Sequence, residues 1–109
     1  MSKLAIWAEL EAKPGKEHEV EEFLKSALPL AEKENETITW YAMRAGPSKF
    51  GIFDTFADEK GREAHINGEI AKALFAKADE LLAKPPAIHK IDLLAAKAPG
   101  ASKSKRARA

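Results

Sequence analysis

No cysteine occurs in the 109 residues, so disulfides, zinc–thiolate centres and thiol nucleophiles are excluded. The same absence fits a reducing compartment. No apolar run approaches the length of a membrane span. The opening residues, MSKLAIWAEL, reach Glu9 after a very short apolar stretch, which is not the pattern of a secretory leader. The expectation is a soluble, cytoplasmic protein that avoids membranes. Also missing are a glycine-rich phosphate loop, a strand–turn–helix with a nucleophilic serine, and a histidine pair at metal-binding spacing. The three histidines, His18, His65 and His89, are far apart in sequence, and no metal site is expected. Aromatic residues are few, at 7%, but most fall in short segments that read as strands.

What is present describes one small domain. The chain is 45% hydrophobic and 32% charged, an ordinary globular balance, and it is too short for two domains. A domain of this size buries a modest core, so a partner chain would help it. The net charge of +1 conceals an asymmetry. Residues 1–96 carry thirteen basic and seventeen acidic groups, while residues 97–109, KAPGASKSKRARA, carry five basic groups and no acid. The expectation is a folded domain over 1–96 and a disordered basic tail over 97–109. Such a tail is usually no more than solvated; nucleic acid is an expected partner only through it.

Alternation marks the strands. In LAIWAEL (4–10), Leu4, Ile6, Ala8 and Leu10 face one way and Ala5, Trp7 and Glu9 the other. Pro14-Gly15 then turns the chain. Val20, Phe23, Leu24, Ala27, Leu28 and Ala31 follow at helical spacing, with Pro29 expected to bend or end that helix. TITWYAMR (37–44) and KFGIFDTF (49–56), joined by AGPS, predict an antiparallel hairpin. Asp58 is an N-cap for a short helix that Asn67-Gly68 ends. A longer helix is predicted over 69–83, and AIHKIDLL (87–94) as the last strand. The order is βαββαβ: an α+β, ferredoxin-like antiparallel sheet with helices on one face. Large apolar groups lie on both faces of these strands, and the least costly cover for the second face is another copy of the sheet. A homodimer with facing sheets is expected.

His65 is the most interesting candidate for chemistry. It closes a short helix after the most aromatic strand, where a turn can aim the imidazole between sheet and helices. Two readings stand side by side: a helix-end histidine making one packing hydrogen bond, or a base in a pocket. Trp7, Trp40, Tyr41, Arg44 and Phe56 would line that pocket and suit a flat aromatic or quinone-type ligand. For Arg44, an ion pair with Asp54 on the neighbouring strand is the plainer reading.

Pro14-Gly15-Lys16, Tyr41, Phe56-Ala57-Asp58-Glu59 and Ala64-His65, in that order, resemble the antibiotic biosynthesis monooxygenase domain over roughly residues 4–95. The resemblance implies a ferredoxin-like fold dimerised into an α+β barrel. It also implies, for some members, oxidation of aromatic polyketides by O₂ with neither metal nor flavin. His65 would then be the base, held neutral by burial, with Tyr41, Trp40 or Arg44 as donor to the oxyanion. No cofactor is expected. The alternative is a non-catalytic, dimeric ligand-binding or stress-related module. The chain departs from the family at ENETIT (34–39), where Glu-Pro-Gly is usual, and at Phe56, where many members have Trp. Haem-degrading members use an Asn on the first strand and a His on the long helix, and neither is present here.

Overall fold

The computed structural model describes residues 3–97. Eight elements follow one another: β1 (Leu4–Glu11), α1 (Glu17–Ser26), α2 (Leu28–Glu32), β2 (Thr37–Arg44), β3 (Lys49–Phe56), α3 (Glu59–Ile66), α4 (Glu69–Leu81) and β4 (Ala87–Asp92). The strands form one antiparallel sheet in the order β2-β3-β1-β4, the ferredoxin-like arrangement. The basic tail expected at 97–109 lies, apart from Lys97, outside the described residues. No helix among the described residues is long and apolar enough to cross a membrane.

Local chemistry sets the element ends. Pro29 lacks a backbone N–H, so the first helical stretch breaks at Ala27 and restarts with the proline in the first turn of α2. Asp58 caps α3, its Oδ1 accepting from Gly61 N–H at 2.9 Å. The 69–83 helix ends at Leu81, because Leu82 is already extended and bridges to Ala12.

Parity sorts the sheet into two faces. Cross-strand pairs Ile6–Asp54, Ala8–Ile52, Leu10–Phe50, Trp40–Asp54 and Ala42–Ile52 look toward the helices. There Leu10, Phe50 and Ile52 pack with Val20 and Leu24 of α1 and Leu74 and Leu81 of α4. Trp40 bridges this core to a second cluster of Ala27, Ala31 and Ile70. The opposite face carries Trp7, Tyr41, Met43 and Phe53 with no helix over it; Tyr41 is 55% exposed. Trp7 lies across Gly51, where any Cβ would overlap the indole, and its Nε1 donates to Glu9 at 3.0 Å. A one-residue bulge at Ile38 shifts the β2–β3 register and leaves that side chain half exposed.

Candidate functional site

Asp54 is the anomaly of the core. It stands between Ile52 and Phe56 on the helix-covered face of β3 and is 1% exposed. An unpaired carboxylate there would be strongly disfavoured. The last turn of α3 supplies the partner: His65, 9% exposed, places Nε2 2.7 Å from Asp54 Oδ2. The other ring nitrogen, Nδ1, lies 2.6 Å from Glu34 Oε1, in the loop between α2 and β2. Thr37 Oγ1 donates to the same Glu34 oxygen at 2.7 Å. The Phe56 ring packs on the imidazole with centroids 5.3 Å apart. Three chain segments thus meet on one histidine.

Two glycines permit the meeting. A Cβ at Gly61 would press on Glu36 at 3.2 Å, and one at Gly68 would come within 3.3 Å of Glu34 Oε2. A side chain at Gly61 would press on the backbone of the 33–36 loop, and one at Gly68 would crowd the Ala64 carbonyl and the end of the Glu34 side chain. Between this loop and the α3–α4 turn lies an open cleft of about 420 Å³. His65, Glu34, Thr37, Leu30, Ala64 and Glu69 are among the residues lining it.

The geometry dictates the protonation. A neutral imidazole has one N–H and would turn a lone pair toward the second carboxylate. Two close carboxylate oxygens therefore demand one more proton, on the ring or on a carboxyl group. Burial opposes the imidazolium, but the hydrogen bond and charge of Asp54, and then those of Glu34, outweigh it and hold the His65 pKa above its ordinary value. Burial likewise raises the Asp54 carboxyl, against the pull of His65. The expectation of a neutral histidine kept so by burial is corrected here: two carboxylates keep the proton on this group. The arrangement is a proton store with one end at a cleft and the other in the core.

The remaining predicted site residues scatter. Phe56 and Trp40 share the helix-covered face with His65. Trp7 and Tyr41 lie on the opposite face of the sheet and do not join it. Arg44 sits at the far end of β2, over the Phe50 ring at 5.2 Å, with Glu21 3.5 Å away. Its side chain donates to the Gly46 and Pro47 carbonyls. The Arg44–Asp54 ion pair is thereby corrected: Arg44 pairs across with Phe50, two pairs along from Asp54's partner Trp40 on that face. His18 is exposed, and His89 lies on the open face 3.7 Å from Glu9 Oε2. Glu34 and Asp54 are the members that sequence reasoning missed. For Asp54 the alternation Phe50, Ile52, Asp54, Phe56 was a usable clue, because it puts an acid on an apolar face. Among the described residues, no group of three or more His, Asp or Glu is arranged to hold a metal ion.

No family model and no curated protein matches the chain. Among solved structures, the NE2512 protein of unknown function from Nitrosomonas europaea is 58% identical, over 92% of this chain and 97% of that one, with a TM-score of 0.89. A second Nitrosomonas europaea structure, named "Putative antibiotic biosynthesis monooxygenase", is 13% identical over 84% of this chain and 99% of that one, with a TM-score of 0.75. A structure of the same name from Caulobacter crescentus is 20% identical over 86% and 92%, with a TM-score of 0.72. The last two likenesses establish an antibiotic biosynthesis monooxygenase-like fold.

Proposed function

We propose that this chain, which belongs to the family of the Nitrosomonas europaea NE2512 protein, is a small-molecule oxygenase whose chemistry runs at the His65 cleft. The observation that carries the proposal is the clasp of both His65 nitrogens by carboxylates, one of them on the cleft wall. The names of the two monooxygenase-like structures support the reaction class. The cleft volume of about 420 Å³ suits a small aromatic or quinone-type metabolite.

The reaction needs proton management above all. A phenolic substrate loses its O–H proton to the carboxylate–imidazole–carboxylate group. Its electron-rich ring carbon then gives two electrons, one at a time, to O₂, and a C–O bond forms to a peroxide anion. His65 returns a proton to that anion. Loss of water, breaking the O–O bond and the C–H bond at the same carbon, leaves a quinone. The sum is substrate plus O₂ giving quinone plus water. The substrate supplies the electrons, so the scheme uses no cofactor. A second copy of the chain on the open sheet face belongs to this reading, supported by the apolar Trp7, Tyr41, Met43 and Phe53.

One observation favours a second reading. His65 is almost fully buried, and its clasp joins α3, β3 and the 33–36 loop, as a structural pin in a ligand-binding module would. Oxygen uptake separates the two. With a panel of phenols, hydroquinones and anthrones, the oxygenase consumes O₂ with at least one compound. His65→Gln slows it by about a hundredfold or more, the scale of acid–base catalysis. No uptake with any compound supports the binding module.

A further inference from the structure

Behind the proton store lie two buried polar groups that it leaves unsatisfied. The Trp40 indole N–H has no hydrogen-bond partner. Asp54 Oδ1 has none either, while Oδ2 lies 2.7 Å from His65 Nε2. Trp40 and Asp54 are cross-strand partners in the β2–β3 register, so they share the helix-covered face, with Cβ atoms about 5 Å apart. Leaving a buried donor and a buried acceptor unpaired is costly, and folds seldom do so without cause.

An orphan donor and an orphan acceptor on cross-strand neighbours together have the recognition pattern of a hydroxyl group. Its oxygen accepts from the indole N–H and its hydrogen is donated to the carboxylate. A carboxylate ligand would meet the charge of Asp54, and an ammonium group would set donor against donor at Trp40. Beyond the His65 cleft lies a second one of about 270 Å³, lined by Trp40, Ala31 and Thr39. Glu34 and Thr37 line both clefts and stand between them.

We propose that Trp40 and Asp54 form an inner site for the substrate's hydroxyl group, with Glu34 as the movable partition in front of it. The inference rests on the oxygenase reading and names its substrate class: a hydroxylated aromatic ring, neutral as it binds. Asp54 takes the hydroxyl proton, breaking O–H and forming the carboxyl O–H, while the electron pair stays on the phenolate oxygen that Trp40 holds. His65 joins Asp54 to Glu34 at the cleft.

The indole N–H signals of Trp7 and Trp40 in a ¹⁵N-labelled sample test this, with Trp7→Phe used to assign them. Under anaerobic conditions hydroquinone shifts the Trp40 signal. 1,4-Dimethylbenzene, a ring of the same shape without hydroxyl groups, leaves it in place. Asp54→Asn and Trp40→Phe each weaken hydroquinone binding about tenfold or more. A Trp40 signal that never moves, or equal binding of the two rings, overturns the inner site; the wild-type spectra decide this even where a variant fails to fold. Oxygen uptake that survives unchanged in Trp40→Phe keeps the oxygenase and removes the inner site. A hydroquinone-dependent Trp40 shift without oxygen uptake keeps the inner site and removes the oxygenase.

Discussion

Replacing His65 by glutamine removes the cation beside Asp54 and leaves a carboxylate 1% exposed with no counter-charge. At the 2.7 Å separation of Nε2 and Oδ2, the attraction is about 6 kcal/mol for an effective dielectric constant of 20. Part of that is offset by the desolvation both groups suffer on folding. Removing one partner, however, leaves the desolvation of the other uncompensated, which costs about 3–5 kcal/mol in comparable buried pairs. A domain of this size has roughly 5–15 kcal/mol in total, so His65→Gln should be folded but badly weakened, with Tm lower by about 12 °C or more. Asp54→Asn behaves differently. Its histidine can shed the proton and keep its bond to Glu34, so the loss is that of one hydrogen bond, about 1–2 kcal/mol. The double variant Asp54→Asn/His65→Gln traps no charge. It should be more stable than His65→Gln alone, with a coupling of at least about 1.5 kcal/mol between the sites. Urea unfolding of the four proteins at pH 7 and one protein concentration measures this, the fixed concentration guarding against linkage to self-association. Losses that simply add, or a His65→Gln cost below about 1 kcal/mol, would show that Asp54 is not held by His65.

Other consequences are as direct. The His65 and Asp54 pKa values are both raised, so the native protein holds more protons than the unfolded chain as pH passes above their ordinary values; their stabilisation is present at lower pH and lost as pH rises through the native values. The unfolding free energy from urea titration should therefore fall between pH 6 and pH 8.5, by about 1.4 kcal/mol for each unit of the net shift; a rise over that range contradicts the assignment. Gly51→Ala must displace the Trp7 indole from the sheet and should cost about 1–3 kcal/mol, with a change in tryptophan emission that an unmoved Trp7 would not give. If a second copy covers the open face, Phe53→Glu should yield monomer or insoluble protein where the wild type sediments as a dimer at micromolar concentration. A well-folded wild-type monomer there removes the dimer.

Much of the fold was legible because its determinants are local. Alternation gave β1, β-branched and aromatic residues β2, Pro29 the helix break, AGPS the hairpin, and Asp58 the cap. The candidate site was legible only in part because it is assembled from far along the chain. His65 stood out by its place at a helix end, but Glu34 lies 31 positions away and nothing in ENETIT marks it as a partner. Gly61 is the place where the 33–36 loop approaches α3, a closeness that only the folded chain reveals. Grouping Trp7 and Tyr41 with His65 overlooked the parity that had already put Trp7 opposite Ile6: residues near in sequence to a pocket are not in it if they point through the sheet the other way.

The central claim is that function resides at the His65 cleft and not on the open sheet face. A crystal structure of the protein soaked anaerobically with hydroquinone tests it most directly. The account predicts the ring beside Glu34 and His65, with a hydroxyl oxygen within hydrogen-bond distance of Trp40 Nε1 and Asp54. A ring stacked instead between Trp7 and Tyr41, with the cleft unoccupied, would contradict it.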